Sequence, residues 1–87
     1  MYSMDLDEMV EKIETREDLV NFLEALLVDL KENPSDWEND TLGRFLNGMW
    51  GWLQAMNGWC KNNNIPVPDQ PSWWLVGQML LSAKYYE

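Results

Sequence analysis

The sequence predicts an all-α fold: a compact bundle of three main helices (16–32, 41–61 and 73–85) plus a short N-terminal helix (5–13), together forming one domain over residues 1–87. Two observations predict it. Apolar residues recur at intervals of three and four in all four segments, which is the spacing of one face of an α-helix. All four prolines lie between the predicted helices, where they interrupt none of them.

The first predicted helix is short and amphipathic. Ser3 is placed to cap its N-terminus, and the acids that follow favour the positive end of the helix dipole. Its apolar face consists of Leu6, Met9, Val10 and Ile13.

The second helix has start and stop signals. Thr15 to Asp18 resembles a capping box with Asp in the usual Glu position, so the helix is expected to begin near Arg16. Asn33 can take a helix-ending conformation and Pro34 cannot continue a helix. The apolar stripe between these signals consists of Leu19, Phe22, Leu23, Leu26, Leu27 and Leu30.

The acidic turn at 34–40 contains one large apolar residue, Trp37, which we expect to fold back over the core as a lid. Acids at alternate positions of this turn suggest a calcium loop. However, Thr41 stands where such a loop needs glycine, and Asn47 stands where it needs a bidentate acid. No metal site is therefore expected.

The central segment, 41–60, is rich in tryptophan and has no formal charge between Arg44 and Lys61. Asn39 or Thr41 can cap it. One wide apolar arc is expected to face the core, and four glycines belong to the other side of the helix or its edge. The central stripe of the arc consists of Leu42, Phe45, Leu46, Met49, Leu53, Met56 and Cys60, and the glycines are Gly43, Gly48, Gly51 and Gly58.

Interior glycines cost a helix up to about 1 kcal/mol each relative to alanine, so another backbone is expected to approach this face closely. The sequence leaves open whether that backbone belongs to the same chain or to a partner. A homodimer through Gly48 and Gly51, or through the last helix, is one prediction.

The last helix follows a linker at 61–72 that contains three prolines. Ser72 is placed to cap it, and it is predicted from Trp73 to about Tyr85. It is apolar almost all round, which predicts a place in the middle of the bundle or at an interface.

The net charge of −9 is unevenly distributed. Residues 1–40 hold thirteen acids and three bases, whereas residues 41–87 are close to neutral. Such a field disfavours nucleic acid and anionic membranes and attracts basic protein surfaces. With one cysteine, no signal segment and no run of about 20 apolar residues, a cytoplasmic protein is expected.

The residues that usually carry catalysis are scarce. The chain has no histidine, and its single cysteine, Cys60, lies on an apolar helix stripe. No phosphate-binding glycine loop occurs, and no carboxylate pair is singled out by its spacing. We therefore expect neither an enzyme nor a cofactor.

Several short blocks occur together: Trp37-Glu38-Asn39 with Thr41-Leu42, then Pro71-Ser72-Trp73, then a terminal Tyr86-Glu87. With them, residues 16–87 resemble a family of small stand-alone bacterial domains of unknown function. The resemblance implies a compact helical domain without a catalytic role. It implies that structural positions are taken by Trp37, Asn39, Thr41, Trp73, Tyr86 and Glu87.

Two functions fit these features. One is a small acidic module that binds a basic protein partner, as immunity-type or phage-type inhibitors do, with tryptophan as anchor. Its predicted partner-binding residues are Glu24, Glu32, Asp36, Trp37, Glu38 and Asp40. The alternative is a self-associating structural or regulatory subunit.

Overall fold

The structure is a computed structural model that describes residues 5–86. Those residues form helices and connecting turns without a β-strand, which confirms the all-α prediction. The elements are α1 (Leu6–Glu11), α2 (Arg16–Glu32), a 3₁₀ turn (Pro34–Asp36), α3 (Leu42–Gln54), α4 (Met56–Asn62) and α5 (Trp73–Tyr85).

Side-chain caps define the starts of α2 and α5 as predicted. The Thr15 hydroxyl accepts a hydrogen bond from the Asp18 amide at 3.0 Å, and the Asp18 carboxylate accepts one from the Thr15 amide at 3.2 Å. This reciprocal pair is a complete capping box. Ser72 caps α5 by accepting from the Leu75 amide at 3.0 Å.

Of the two candidate caps for α3, Thr41 takes the role, since its hydroxyl accepts from the Arg44 amide at 3.2 Å. The N-cap of α1 is Asp5, whose side chain accepts from the Asp7 amide. The predicted cap at Ser3 lies outside the described residues.

The prediction of one continuous central helix over 41–61 is wrong. The helix breaks at Ala55, which has φ −92° and ψ 3°, between α3 and α4. After the break, Trp59 packs edge-on against Trp52, with ring centroids 5.2 Å apart. The ring centroid of Trp59 lies 6.1 Å from that of Trp74. The break thus accompanies an aromatic cluster that joins α3, α4 and α5, a tertiary contact that helical periodicity does not encode.

Helix α5 occupies the centre of the fold, as its nearly all-round apolar sequence predicts. It packs against α1, α2 and α3. By contrast, no Cα atom of α2 lies within 8 Å of a Cα atom of α3. The two helices therefore flank α5 without closing against each other.

The main core lies between α1, α2 and α5. Helix α1 reaches it because Gly77 of α5 has no side chain: a Cβ there would lie 2.5 Å from Ile13 Cδ1 and 3.3 Å from Val10 Cγ2. Trp37 belongs to this core and is 8% exposed, which confirms its prediction as a lid. The buried cluster consists of Val10, Ile13, Leu19, Phe22, Leu26, Trp37 and Leu81.

The predicted core face of α3 is wrong for its leucines. Leu42, Leu46 and Leu53 are exposed, Leu42 by 74%. The buried residues of α3 are Gly48, on the glycine side, and Trp52. Helix α5 packs on the small-residue side because glycine lets two backbones approach, and that choice leaves the leucine stripe on the surface.

Candidate protein-binding surface

An apolar groove of about 330 Å³ opens between α2 and α3, and we refer to it as the α2–α3 groove. Leucine and phenylalanine side chains form its walls, and residues of the core form its floor. The residues that define it are Leu23 and Leu27 from α2, Leu42 and Phe45 from α3, and Trp37 and Leu80 beneath them.

The groove exists because the apolar stripe of α2 is wider than the surface that α5 covers. Leu26 faces the core and is 5% exposed, whereas its neighbour Leu27 is 69% exposed. Leu23 is also exposed. An apolar stripe of this width usually indicates a helix face that other parts of the protein cover. On α2, the described residues leave one side of the stripe uncovered.

A buried polar centre holds the floor of the groove in place. Trp37 Nε1 donates a hydrogen bond to Asp29 Oδ2 at 2.8 Å, and Lys84 Nζ donates to the same oxygen at 2.9 Å. The Lys84 ammonium also lies 5.2 Å from the Trp37 ring centroid and 4.8 Å from that of Tyr85, within cation–π range. On its other side, the Trp37 ring meets Phe45 at 6.2 Å between centroids.

The charges of this centre stabilise each other. Burial disfavours the ionised carboxylate of Asp29, but the hydrogen bonds from Lys84 and Trp37 outweigh it, so the pKa of Asp29 lies below its ordinary value. Burial also disfavours the ammonium of Lys84, yet the hydrogen bond to Asp29 raises the pKa of Lys84 above its ordinary value. The pair is therefore ionised at neutral pH.

A second polar contact joins the acidic turn to the end of α5. Asn39 Nδ2 donates to the carbonyl oxygens of Ala83 at 2.8 Å and Tyr86 at 2.6 Å. The Asn39 amide donates to the carbonyl oxygen of Lys84 at 3.0 Å. The structural role that the family resemblance implies for Asn39 is thus visible as three hydrogen bonds to one chain end.

This contact decides what covers the glycine face of α3. A Cβ on Gly48 would lie 2.6 Å from Asn39 Nδ2 and 2.8 Å from the Ala83 and Tyr86 carbonyl oxygens. A Cβ on Gly51 would lie 2.8 Å from Tyr86 Cε2. The backbone that approaches Gly48 therefore belongs to the same chain, and Gly51 is covered by a side chain of the same chain.

The covered glycines limit how a second copy of the chain could use this face, and the homodimer stays a prediction. Gly48 is buried and Gly51 is half-buried under Tyr86, so neither is available for pairing without displacing the end of α5. Helix α5 is itself central, and its exposed large side chains are Trp73 and Tyr85 near its two ends. The surfaces suggested by sequence for a homodimer are thus largely occupied within the chain.

The structure separates the six residues predicted to bind a partner. Asp40 lines the α2–α3 groove, and Trp37 contributes to its floor rather than projecting as an exposed anchor. Glu32 and Asp36 line a different depression, of about 720 Å³, beside α1. The remaining two, Glu24 on α2 and Glu38 in the turn, are exposed.

From the sequence, Leu42 was expected to face the core, and Leu23 and Leu27 were placed on the apolar stripe of α2. Helical spacing identifies an apolar stripe but does not say which part of a wide stripe another helix covers. One available signal was the apolar arc of the central segment, which extends over about half the helix circumference. A further signal was the glycine side of that segment, which offered α5 an alternative place to pack.

Two further features bear on chemistry. Cys60 is a buried free thiol. Among residues 5–86, no three acidic or cysteine side chains come together in a way that could hold a metal ion. In the same part of the chain, every helix is too short or too polar to cross a membrane.

Comparisons with known proteins identify a family. Searches of curated proteins and of solved structures returned no match. A family model, described as a family of unknown function, matches residues 15–87, from the cap of α2 to the C-terminal residue of the sequence. Helix α1 lies before the matched region. Because the match covers most of the sequence, the chain belongs to this family of unknown function, DUF7660.

Proposed function

We propose that this domain is a non-enzymatic protein-binding module that uses the α2–α3 groove to bind and block a basic partner protein, in the manner of an immunity-type or phage-type inhibitor. The observation that carries the proposal is the exposure of leucines that belong, by their spacing, to core-facing stripes. Leu27 and Leu42 both line a groove that no described part of the chain fills. Exposed apolar surface of this kind marks interaction sites.

Charge supports a basic partner. Helix α2 carries five acids and two bases, and the turn that follows it adds Asp36, Glu38 and Asp40. Helix α3 has Arg44 as its only charged residue, and that side chain is paired with Asp40 at 3.3 Å. The half of the chain that contributes α2 to the groove is therefore acidic overall, and the half that contributes α3 is nearly neutral. This field steers a positively charged surface towards the acidic half of the domain.

Partner capture followed by titration tests the proposal. The domain is chemically cross-linked in extract of its native cells at low salt, the captured protein is identified and purified, and its binding is measured by calorimetry at rising salt. We expect the affinity to fall as salt screens the acidic field. The double change of Glu24→Lys, exposed on α2, with Asp40→Lys, in the lining of the groove, is expected to weaken binding further.

The matched control is Glu8→Lys with Glu14→Lys, which changes the net charge equally on exposed positions of and after α1. A partner that loses the same affinity with both pairs would be responding to net charge alone. Binding that is indifferent to salt and to the groove-edge pair would contradict the proposal.

Self-association is the alternative, and the same exposed leucines favour it. Sedimentation at high protein concentration distinguishes the two. A dimer that dissociates when Leu27 and Leu42 are changed to serine would favour a self-associating subunit, whereas a monomer would exclude it.

A further inference from the structure

We infer that the α2–α3 groove accepts an amphipathic α-helix of the partner, with apolar residues at i, i+3 or i+4 and i+7 against the groove and Lys or Arg along the edge that meets α2. This inference names the class of binding segment and rests on the proposed function. Three observations support it: the apolar lining of the groove, the internally hydrogen-bonded helices that form its walls, and the distribution of charge around it.

The helical walls of the groove limit the secondary structure of the segment that can bind there. An extended peptide that binds by strand addition needs an open strand edge to receive its backbone hydrogen bonds. The walls of the groove are helices, whose backbone groups are bonded internally, and no strand occurs among residues 5–86. An extended segment would bury unpaired N–H and C=O groups, whereas a helix satisfies its own.

The dimensions agree with helix-in-groove binding. The groove is lined by Leu23 and Leu27, four residues apart on α2, and by Leu42 and Phe45, three residues apart on α3. A spacing of four residues along a helix corresponds to about 6 Å. The walls therefore present about one turn of apolar side chains each, enough to hold two or three anchors of a partner helix.

Charge distinguishes a basic helix from a second copy of this chain. Two copies meeting at the groove would bring together two chains that each carry a net charge of −9. Helix α2 carries five acids and two bases, and Asp40, which lines the groove, is paired with Arg44. A basic helix edge is attracted by the net acidic field on the α2 side, whereas a second copy is repelled by its like charge.

Two libraries of displayed helical peptides test the inference. Both have one randomised face, and the fixed residues of the other face are Lys and Arg in one library and Glu in the other. Selection is made on the wild-type domain. We expect binders from the basic library, with apolar residues enriched at i, i+3 or i+4 and i+7 of the randomised face.

The groove variant is Leu27→Ser with Leu42→Ser, and the control is Val28→Ser with Val67→Ser, two exposed valines outside the groove. The groove variant is expected to weaken the selected peptides by about tenfold or more, and the control to leave them unchanged. Methyl chemical shifts of wild-type Leu23, Leu27 and Leu42 on peptide addition give the same information without a variant, in case the serine pair reduces folding.

Three results would overturn the inference: no binders from the basic library, binders indifferent to the groove variant with unshifted leucine methyls, or a wild-type dimer that the groove variant dissociates. Its failure is distinguishable from failure of the proposed function. A captured basic protein that contacts the groove through an extended or looped segment would support the proposed function and contradict the inference of a bound helix. Selected helical peptides without any captured basic protein would support the bound helix and contradict the proposed function.

Discussion

The Lys84 ammonium and the Asp29 carboxylate, 55 positions apart in the chain, form an ion pair at 2.9 Å in which the lysine side chain is only 4% exposed. The pair connects the last turn of α5 to α2 and shares its carboxylate oxygen with the Trp37 indole N–H. Asp29 Oδ2 of α2 thus connects to both α5 and Trp37, which lies in the floor of the α2–α3 groove.

Removing one partner of this pair is expected to destabilise the fold strongly. Lys84→Met leaves Asp29 partly buried without its counter-ion and should lower the free energy of unfolding by about 2–4 kcal/mol. Adding Asp29→Asn removes the stranded charge while keeping an oxygen for Trp37. Urea unfolding of both single variants and the double variant should give a coupling energy of about 1–3 kcal/mol, and strict additivity would show that the pair does not act as a unit.

The same pair predicts a difference in acid stability. Because the folded-state pKa of Asp29 is lowered, its contribution is present above the ordinary carboxyl pKa and is lost as pH falls through the lower folded value. Between about pH 4 and pH 2, the stability of the wild type should therefore fall more steeply than that of Asp29→Asn. Thermal melts of the two proteins at several pH values in this range measure the difference. Equal losses of stability in both proteins would contradict the prediction.

Asn39 is expected to be irreplaceable by its acidic isostere. Asn39→Asp keeps the shape of the side chain but replaces the donor to Ala83 and Tyr86 by an oxygen that repels their carbonyl groups. Stability should fall by about 2–4 kcal/mol, and exchange of the Asn39 amide hydrogen should accelerate. Asn21→Asp on exposed α2 is the control and should change stability little; equal losses in both would assign the effect to charge alone.

Glycines of α3 and α4 are expected to respond with opposite signs. Gly48→Ala places a Cβ against Asn39 and two carbonyl oxygens and should cost about 1–3 kcal/mol. Gly58→Ala meets nothing within 4 Å and should stabilise the domain by up to about 1 kcal/mol. Melting temperatures measure both, and a stabilising alanine at position 48 would show that the end of α5 does not pack there.

Two adjacent leucines test the division between core and groove. Leu26→Ala should lower the free energy of unfolding by about 2–4 kcal/mol because the side chain is buried. Leu27→Ala should change it by less than about 0.5 kcal/mol because the side chain faces the open groove. Chemical denaturation of the two variants gives the comparison, and similar losses would place Leu27 in the core.

The starts of α2 and α5 were predictable because their signals are local. A cap acts over three residues, as Thr15 does on Asp18 and Ser72 on Leu75. Pro34 ends α2 by its own covalent structure. The candidate site was predictable only in its acidic character, since Asp40 lies at the groove whereas Leu42, which also lines it, was expected to face the core.

The sequence by itself determined that the chain is helical, where most of its helices begin and end, and that its first half is acidic, because these properties arise from residues close in the chain. Tertiary structure decided which side of α3 is buried, where the central helix breaks and which carboxylate meets Lys84. Each of these depends on α5 docking against Gly48 and Gly51 and on the aromatic contacts of Trp59, between residues far apart in sequence. That docking leaves Leu42 exposed at the surface, where it lines the α2–α3 groove.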